Sequence, residues 1–360
     1  MNNLAPLPAT GAIDGRKHED KVHGSGGWWT AAAMAGVSLA AAATLNNWLA
    51  KRAEQRNPPI GRFLTVDETR LHYIERGTGS PIVLIHGNGA MVGDWVASGV
   101  FDSLAAHHRV VAFDRPGFGY TLRSRTRLWT PRAQAALFAQ AMHQLGVESA
   151  VIVGHSWGVL PALALALDFP ATASGLVLMS GVFYPQMRSD IVTSLPSSVP
   201  GIGDVMCQTI TPLLASVTSP MQTKAIFKPA PVHERFADFP MSMSLRPGQM
   251  RAQVKETTML PVVTGNLARR YGELSLPVTI LTGADDAIVS PDSQSERLHK
   301  EIDGSRLIKL AGIGHMANYS ALSDVVAAIR ETAASSDQSA GAYLLRCGAD
   351  RHAHDGGMVS

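Results

Sequence analysis

Residues 151–169 read VIVGHSWGVLPALALALDF. The first three, Val151, Ile152 and Val153, form the short continuous apolar run of a strand buried on both faces of a sheet. From Val159 onward the run is mostly Leu and Ala, which lose little side-chain freedom in a helix. Gly154, His155, Ser156, Trp157 and Gly158 join the two. A nucleophile must stand clear of the sheet, and a tight strand-to-helix turn achieves this only if the neighbours two positions away lack side chains. Ser156 then meets the N-terminus of a helix, where aligned amide dipoles favour developing negative charge. The G-x-S-x-G letters alone are only moderately specific, and the strand before and helix after give them their weight.

Working outward, strand-like runs recur at 63–66, 71–75, 82–86, 110–114, 151–154, 176–179, 278–281 and 307–310. Helical stretches are expected near 95–106, 130–145, 158–168 and 322–332, so the chain alternates as an α/β protein with a mostly parallel sheet. Three further turns follow strands. His86-Gly87-Asn88-Gly89 comes after 82–85 and can present a backbone donor; with the amide after Ser156, the Asn88 and Trp157 N–H groups are the candidate oxyanion donors. LTGADDAIV (281–289) ends a strand with two adjacent acids, and GIGHMA (312–317) carries a histidine after the last strand. A base there reaches a nucleophile across the C-terminal ends of the strands, where sites of open α/β sheets lie. The order Ser156, Asp286, His315 results, each after a strand.

At this point the chain resembles the α/β-hydrolases, from about residue 63 to 332 and including the turn FDRPGFG (113–119). The resemblance implies Ser156 as nucleophile, His315 as base and Asp286 as the orienting acid, the last counted three positions from Gly283. Asp285 is then expected to be a turn residue bonding its own backbone. It also implies a cap at 182–275 between core segments 62–181 and 276–333. An acyl-enzyme mechanism follows, needing no metal or organic cofactor. Ser at the turn argues against relatives similar to haloalkane dehalogenases and epoxide hydrolases, which use Asp there. Carbon–carbon hydrolases of ring-cleavage products resemble the chain more, but commonly carry Trp where Met316 stands. The expectation is an esterase- or lipase-like serine hydrolase for an apolar small-molecule or lipid-like ester. Carbon–carbon or amide hydrolysis is the alternative, and a catalytically silent, membrane-tethered binding protein is the rival from another class.

The flanks read differently. Residues 1–27 are rich in Gly, Pro and charge and are expected to be disordered. No charge falls between Trp28 and Ala50, and Lys51 and Arg52 follow. As a helix, Trp29 to Trp48 measures roughly 28 Å, close to a bilayer's hydrocarbon thickness, with Trp at both ends. Residues 28–50 are therefore expected to anchor the protein by a single span. A cleaved signal peptide ending near Ala43 is the alternative, which would make the protein exported or periplasmic. Lys51, Arg52, Arg56, Arg62 and Arg70, against Arg16, Lys17 and Lys21 upstream, lean toward a cytoplasmic catalytic domain. Residues 51–61 read as a linker, after which a chain begun near Pro58 is expected to be soluble and active.

Ten of the 21 prolines and seven of the 14 methionines lie within 182–275, so the cap is expected to be built of short helices. Residues 334–360 read as a disordered tail. With 31 Lys and Arg against 29 Asp and Glu, and no basic run with interleaved aromatics, nucleic acid is not a partner the sequence suggests. Cys207 and Cys347 stand 140 positions apart in dissimilar surroundings and are not expected to pair. The oligomeric state is not legible.

Overall fold

The computed structural model describes the backbone of residues 26–355 and the side chains of 28–338. The expected disorder of the N-terminus falls, but for Gly26 and Gly27, outside the described residues. Eight strands form one sheet: β1 Arg62–Val66, β2 Thr69–Arg76, β3 Pro81–Ile85, β4 Arg109–Phe113, β5 Ala150–His155, β6 Ala173–Met179, β7 Val278–Gly283 and β8 Arg306–Leu310. They lie in the order β1-β2-β4-β3-β5-β6-β7-β8, with β2 antiparallel to both neighbours and the remaining pairs parallel. Every expected strand is present to within three residues at either end, as buried apolar runs should be.

Alternate residues of the central strands enter two cores. Val83, Ile85 and Ile152 pack with the helices Pro131–Gln144 and Val159–Asp168. Ile82, Leu84, Val151 and Val153 pack on the other face with Trp95, Phe101, Val325 and Ile329. Thr130 caps the first of these helices, its side chain accepting the Ala133 N–H, and Pro131 fills the position that needs no donor. Both faces of β5 are thereby buried, and the chain turns out of the sheet at its C-terminal end, where Ser156 stands.

The cap differs from expectation. Beside short helices it holds two long ones, Ile210–Phe227 and Pro247–Ala268, with Pro220 and Pro261 inside them. A proline removes the N–H that would bind the carbonyl four residues back. At Pro220 that carbonyl is Ser216 O, and the Ser219 hydroxyl donates to it instead, at 3.2 Å. The tail also departs from expectation: the last helix runs Leu322–Asp355, well past 333. Ser335 and Ser336 extend it by donating to the carbonyls of Glu331 and Thr332, and Ser336 is buried under Gly175 of β6.

The N-terminal helix spans Gly26–Arg56, so half of the expected linker is helical. Its stretch from Trp28 onward is long and apolar enough to cross a membrane. Its last turns are docked on the body. Asn46 donates to the carbonyls of Gln208 and Thr209, Ala53 is buried with Met91, Phe239 and Met243, Glu54 pairs with Arg246, and Tyr120 donates to the Glu54 and Asn57 carbonyls.

Candidate active site

The turn after β5 is closed by backbone contact. A Cβ on Gly158 would lie 2.3 Å from the Ile85 carbonyl, and one on Gly154 would lie 2.7 Å from Gly158 O. Only glycine fits either place. Ser156 itself sits at φ 53°, a left-handed conformation that costs a side-chain-bearing residue on the order of 1 kcal/mol and occurs where the surroundings over-determine it. The turn lifts the hydroxyl to the end of the sheet, and the chain enters the Val159–Asp168 helix at once.

Ser156 Oγ lies 3.0 Å from His315 Nε2, and His315 Nδ1 lies 2.8 Å from Asp286 Oδ2. Asp286 accepts the Ile288 and Val289 N–H groups on its other oxygen, at 2.8 and 2.9 Å. Burial works against its charge, but the His315 ring and these amides outweigh burial and hold the carboxyl below its usual range. As a carboxylate it fixes the imidazole with Nδ1–H toward it and Nε2 free to accept from the serine. Asp285 bonds not its own backbone but the Gly312 amide on the neighbouring loop, at 2.9 Å, while its own N–H meets Ile313 O. It clips the acid loop to the histidine loop.

The candidate oxyanion turn after β3 is held from below by a buried network whose roles the sequence did not show. Arg115, wholly buried, donates Nε to His86 O at 2.8 Å and Nη2 to Gly87 O at 2.9 Å. Its Nη1 meets both oxygens of Glu256, 2.8 and 2.7 Å away on the cap helix Pro247–Ala268. Gln134 and Arg123 also donate to Glu256, and the guanidinium lies over the Trp157 ring. Asn88 turns its side-chain amide to the same helix, donating to Gln253 O and Thr257 Oγ1. His86 donates Nδ1–H to Gly87 O and accepts the Arg115 N–H; burial, then the Arg115 charge, depress its pKa to about 3, so it is a neutral strut. His155 is likewise pushed to about 3 by burial and by the neighbouring His315, whose carbonyl it bonds. Arg115 stands in the FDRPGFG turn and His86 opens the turn after β3, but no short motif announces their link to Glu256, 141 positions from Arg115.

A cavity of about 710 Å³ is lined by Met91, Tyr120, Arg235 and the buried His72–Asp114 pair. None of Ser156, Asp286 and His315 lines it. Among the described residues no group of His, Cys, Asp and Glu is arranged to hold a metal ion.

A model of the alpha/beta hydrolase fold matches residues 80–322. The chain belongs to this family. It is 29% identical over 272 residues to a 2-hydroxy-6-oxo-2,4-heptadienoate hydrolase of Pseudomonas putida, covering 72% of this chain and 91% of that protein. Among solved structures it is similar to a thermophilic esterase from Thermogutta terrifontis, at a TM-score of 0.60 and 21% identity over 75% of this chain and 97% of that one. It is also similar to the enol-lactonase of Burkholderia xenovorans LB400, at a TM-score of 0.61 and 18% identity over 75% and 99%. Likeness at that identity speaks to the fold.

Proposed function

We propose that the protein is a serine hydrolase acting through an acyl-enzyme on a neutral, apolar carboxylic ester. The observation that carries this is the chain of hydrogen bonds from Ser156 through His315 to Asp286. His315 takes the serine proton as Oγ attacks the acyl carbon, Asp286 stabilises the imidazolium, and the Asn88 and Trp157 amides meet the oxyanion. His315 then protonates the departing alcohol, and water repeats the route. The arginine that reaches the oxyanion turn is already paired with Glu256, which favours a neutral substrate over an anion. Carbon–carbon hydrolysis is the second reading, favoured by the similarity to the dienoate hydrolase. We also take the N-terminal helix as a membrane anchor with the catalytic domain on the cytoplasmic side.

A fluorophosphonate probe should label Ser156, and Ser156→Ala should lower hydrolysis by at least about a thousandfold with folding intact. The substrate test sets p-nitrophenyl esters of rising chain length beside a 2-hydroxy-6-oxo-dienoate. Higher kcat/KM on the dienoate would replace the ester reading with the second. A wild type that neither labels nor turns over any of them would favour a binding protein on a hydrolase scaffold.

A further inference from the structure

The cap carries an apolar outer face. Leu195, Ile202, Val205, Leu214, Val217 and Met221 are each at least half exposed, Val217 at 79%. They come from three successive helices packed on one another, Ser189–Ser198, Ile202–Gln208 and Ile210–Phe227. Within residues 189–227 the only charged side chains are Asp190, Asp204 and Lys224. Two of them are already paired, Asp190 with Arg188 and Asp204 with Arg251. Apolar residues this exposed, on helices packed one on the next, mark an interaction site.

What it meets is indicated by the N-terminal helix. Asn46 is bonded to the carbonyls of Gln208 and Thr209, where the second of these cap helices passes into the third, and Gln208 returns a hydrogen bond to Asn47. Two residues on, Trp48 is half exposed, with the Arg52 guanidinium over its ring. An aromatic and a basic residue at the end of an uncharged run mark the level at which a spanning helix leaves the hydrocarbon. The cap is thus pinned to the helix at that level, which brings Val205 and Ile210, either side of the joint, to the headgroup region.

We infer that the outer face of the cap lies on the lipid bilayer, as an interfacial surface continuous with the anchor. The inference rests on the anchor reading and deepens the substrate class: an ester dissolved in the membrane and reaching Ser156 from the lipid side. Apolar side chains of this kind seat about 5–10 Å into the headgroup boundary, where lipid-borne probes reach them.

The test is fluorescence quenching in the full chain, in phosphatidylcholine vesicles with and without nitroxide-labelled lipid. Single labelled cysteines replace Met34 on the N-terminal helix, Leu214 or Val217 on the cap, or Glu148, which precedes β5 at the opposite end of the sheet, all with Cys207→Ala and Cys347→Ala. Quenching at Met34, Leu214 and Val217 but not Glu148 is the expected result. Quenching at Met34 alone keeps the anchor and overturns the inference; no quenching at Met34 overturns the anchor as well. Cap labels blind to lipid but shielded as protein concentration rises would show the face to be an interface between two copies, which also overturns it. In unlabelled protein, Leu214→Glu with Val217→Glu should lower turnover of a vesicle-borne long-chain ester about tenfold and leave a short soluble ester within about twofold, a split that misfolding does not produce. Equal loss on both esters would count against membrane seating.

Discussion

The C=O and N–H of one peptide unit point in opposite directions because the unit is planar and trans. Arg115 holds the Gly87 carbonyl, so it also sets the heading of the Asn88 N–H, which belongs to the same unit. It is a positioning residue, and its loss should be felt in the transition state. Lysine keeps the charge but not the fork that serves His86, Gly87 and Glu256 together. We expect Arg115→Lys to lower kcat by about ten- to a hundredfold with KM within about twofold, at equal active-site titre by fluorophosphonate. A rise in KM with kcat unchanged would contradict this role. Glu256→Gln leaves a buried guanidinium without its counter-charge and should cost about 3–5 kcal/mol of stability, read by urea unfolding. The two adjacent acids differ in the same plain way. Asp286→Asn should leave the imidazole in the wrong tautomer and remove about four decades of rate, whereas Asp285→Asn loses one bond to Gly312 and should cost little beyond stability. A larger rate loss at Asp285 would reverse the assignment.

At the scale of elements, the turn after β5 is the least forgiving. Alanine at Gly158 places its Cβ against the Ile85 and His86 carbonyls, which belong to β3 and the start of the oxyanion turn. Relief requires parting β3 from β5, so Gly158→Ala should lose at least about 2 kcal/mol and most activity together; an unchanged melting temperature would refute the close approach. The strands and this turn were legible because strands buried on both faces leave contiguous apolar runs, and because Ser156 directly follows β5, with Asp286 and His315 in the turns after β7 and β8. The cap was less so. Its prolines pointed to short helices, but a serine one position before Pro220 supplies the donor that proline lacks, and local propensity rules do not anticipate such a bond. The docked end of the N-terminal helix, 51–56, falls within the expected linker, whose Asn57, Pro58, Pro59 and Gly61 do end the helix, while the buried Ala53 gives no signal of its own partners.

For the whole molecule, three fully buried groups have the acid-range proton affinities that change most on folding. His86 and His155, at about 3, stay neutral in the fold, whereas the unfolded chain protonates both as pH falls through about 6.5. Stability therefore declines as pH drops toward 3. Asp94, on which Tyr319 and Asn318 converge, is raised to about 6 by burial, so the fold takes up that proton first and gains stability as pH falls through 6 toward 4. Among these three, two protons against one leave a net loss of at least about 1.4 kcal/mol per pH unit between pH 6 and 4, and Asp94→Asn should steepen the slope by about as much again. Denaturant unfolding at pH 6, 5 and 4 checks both slopes, and an Asp94→Asn slope no steeper than wild type would remove Asp94 from the account. None of this was visible in sequence, where a histidine before a glycine and one before a serine carry no mark of burial. Returning to the Gly26–Arg56 helix, it runs without a break from its apolar half into the half that grips the cap. A chain begun at Pro58, expected from the sequence to be soluble and active, would lose these contacts with the cap. On the proposed membrane anchoring, an enzyme held on a rod of this kind, without a flexible leash, would meet its substrate in two dimensions. Its rate would then follow the mole fraction of ester in the membrane, and adding inert lipid would slow it at constant bulk concentration.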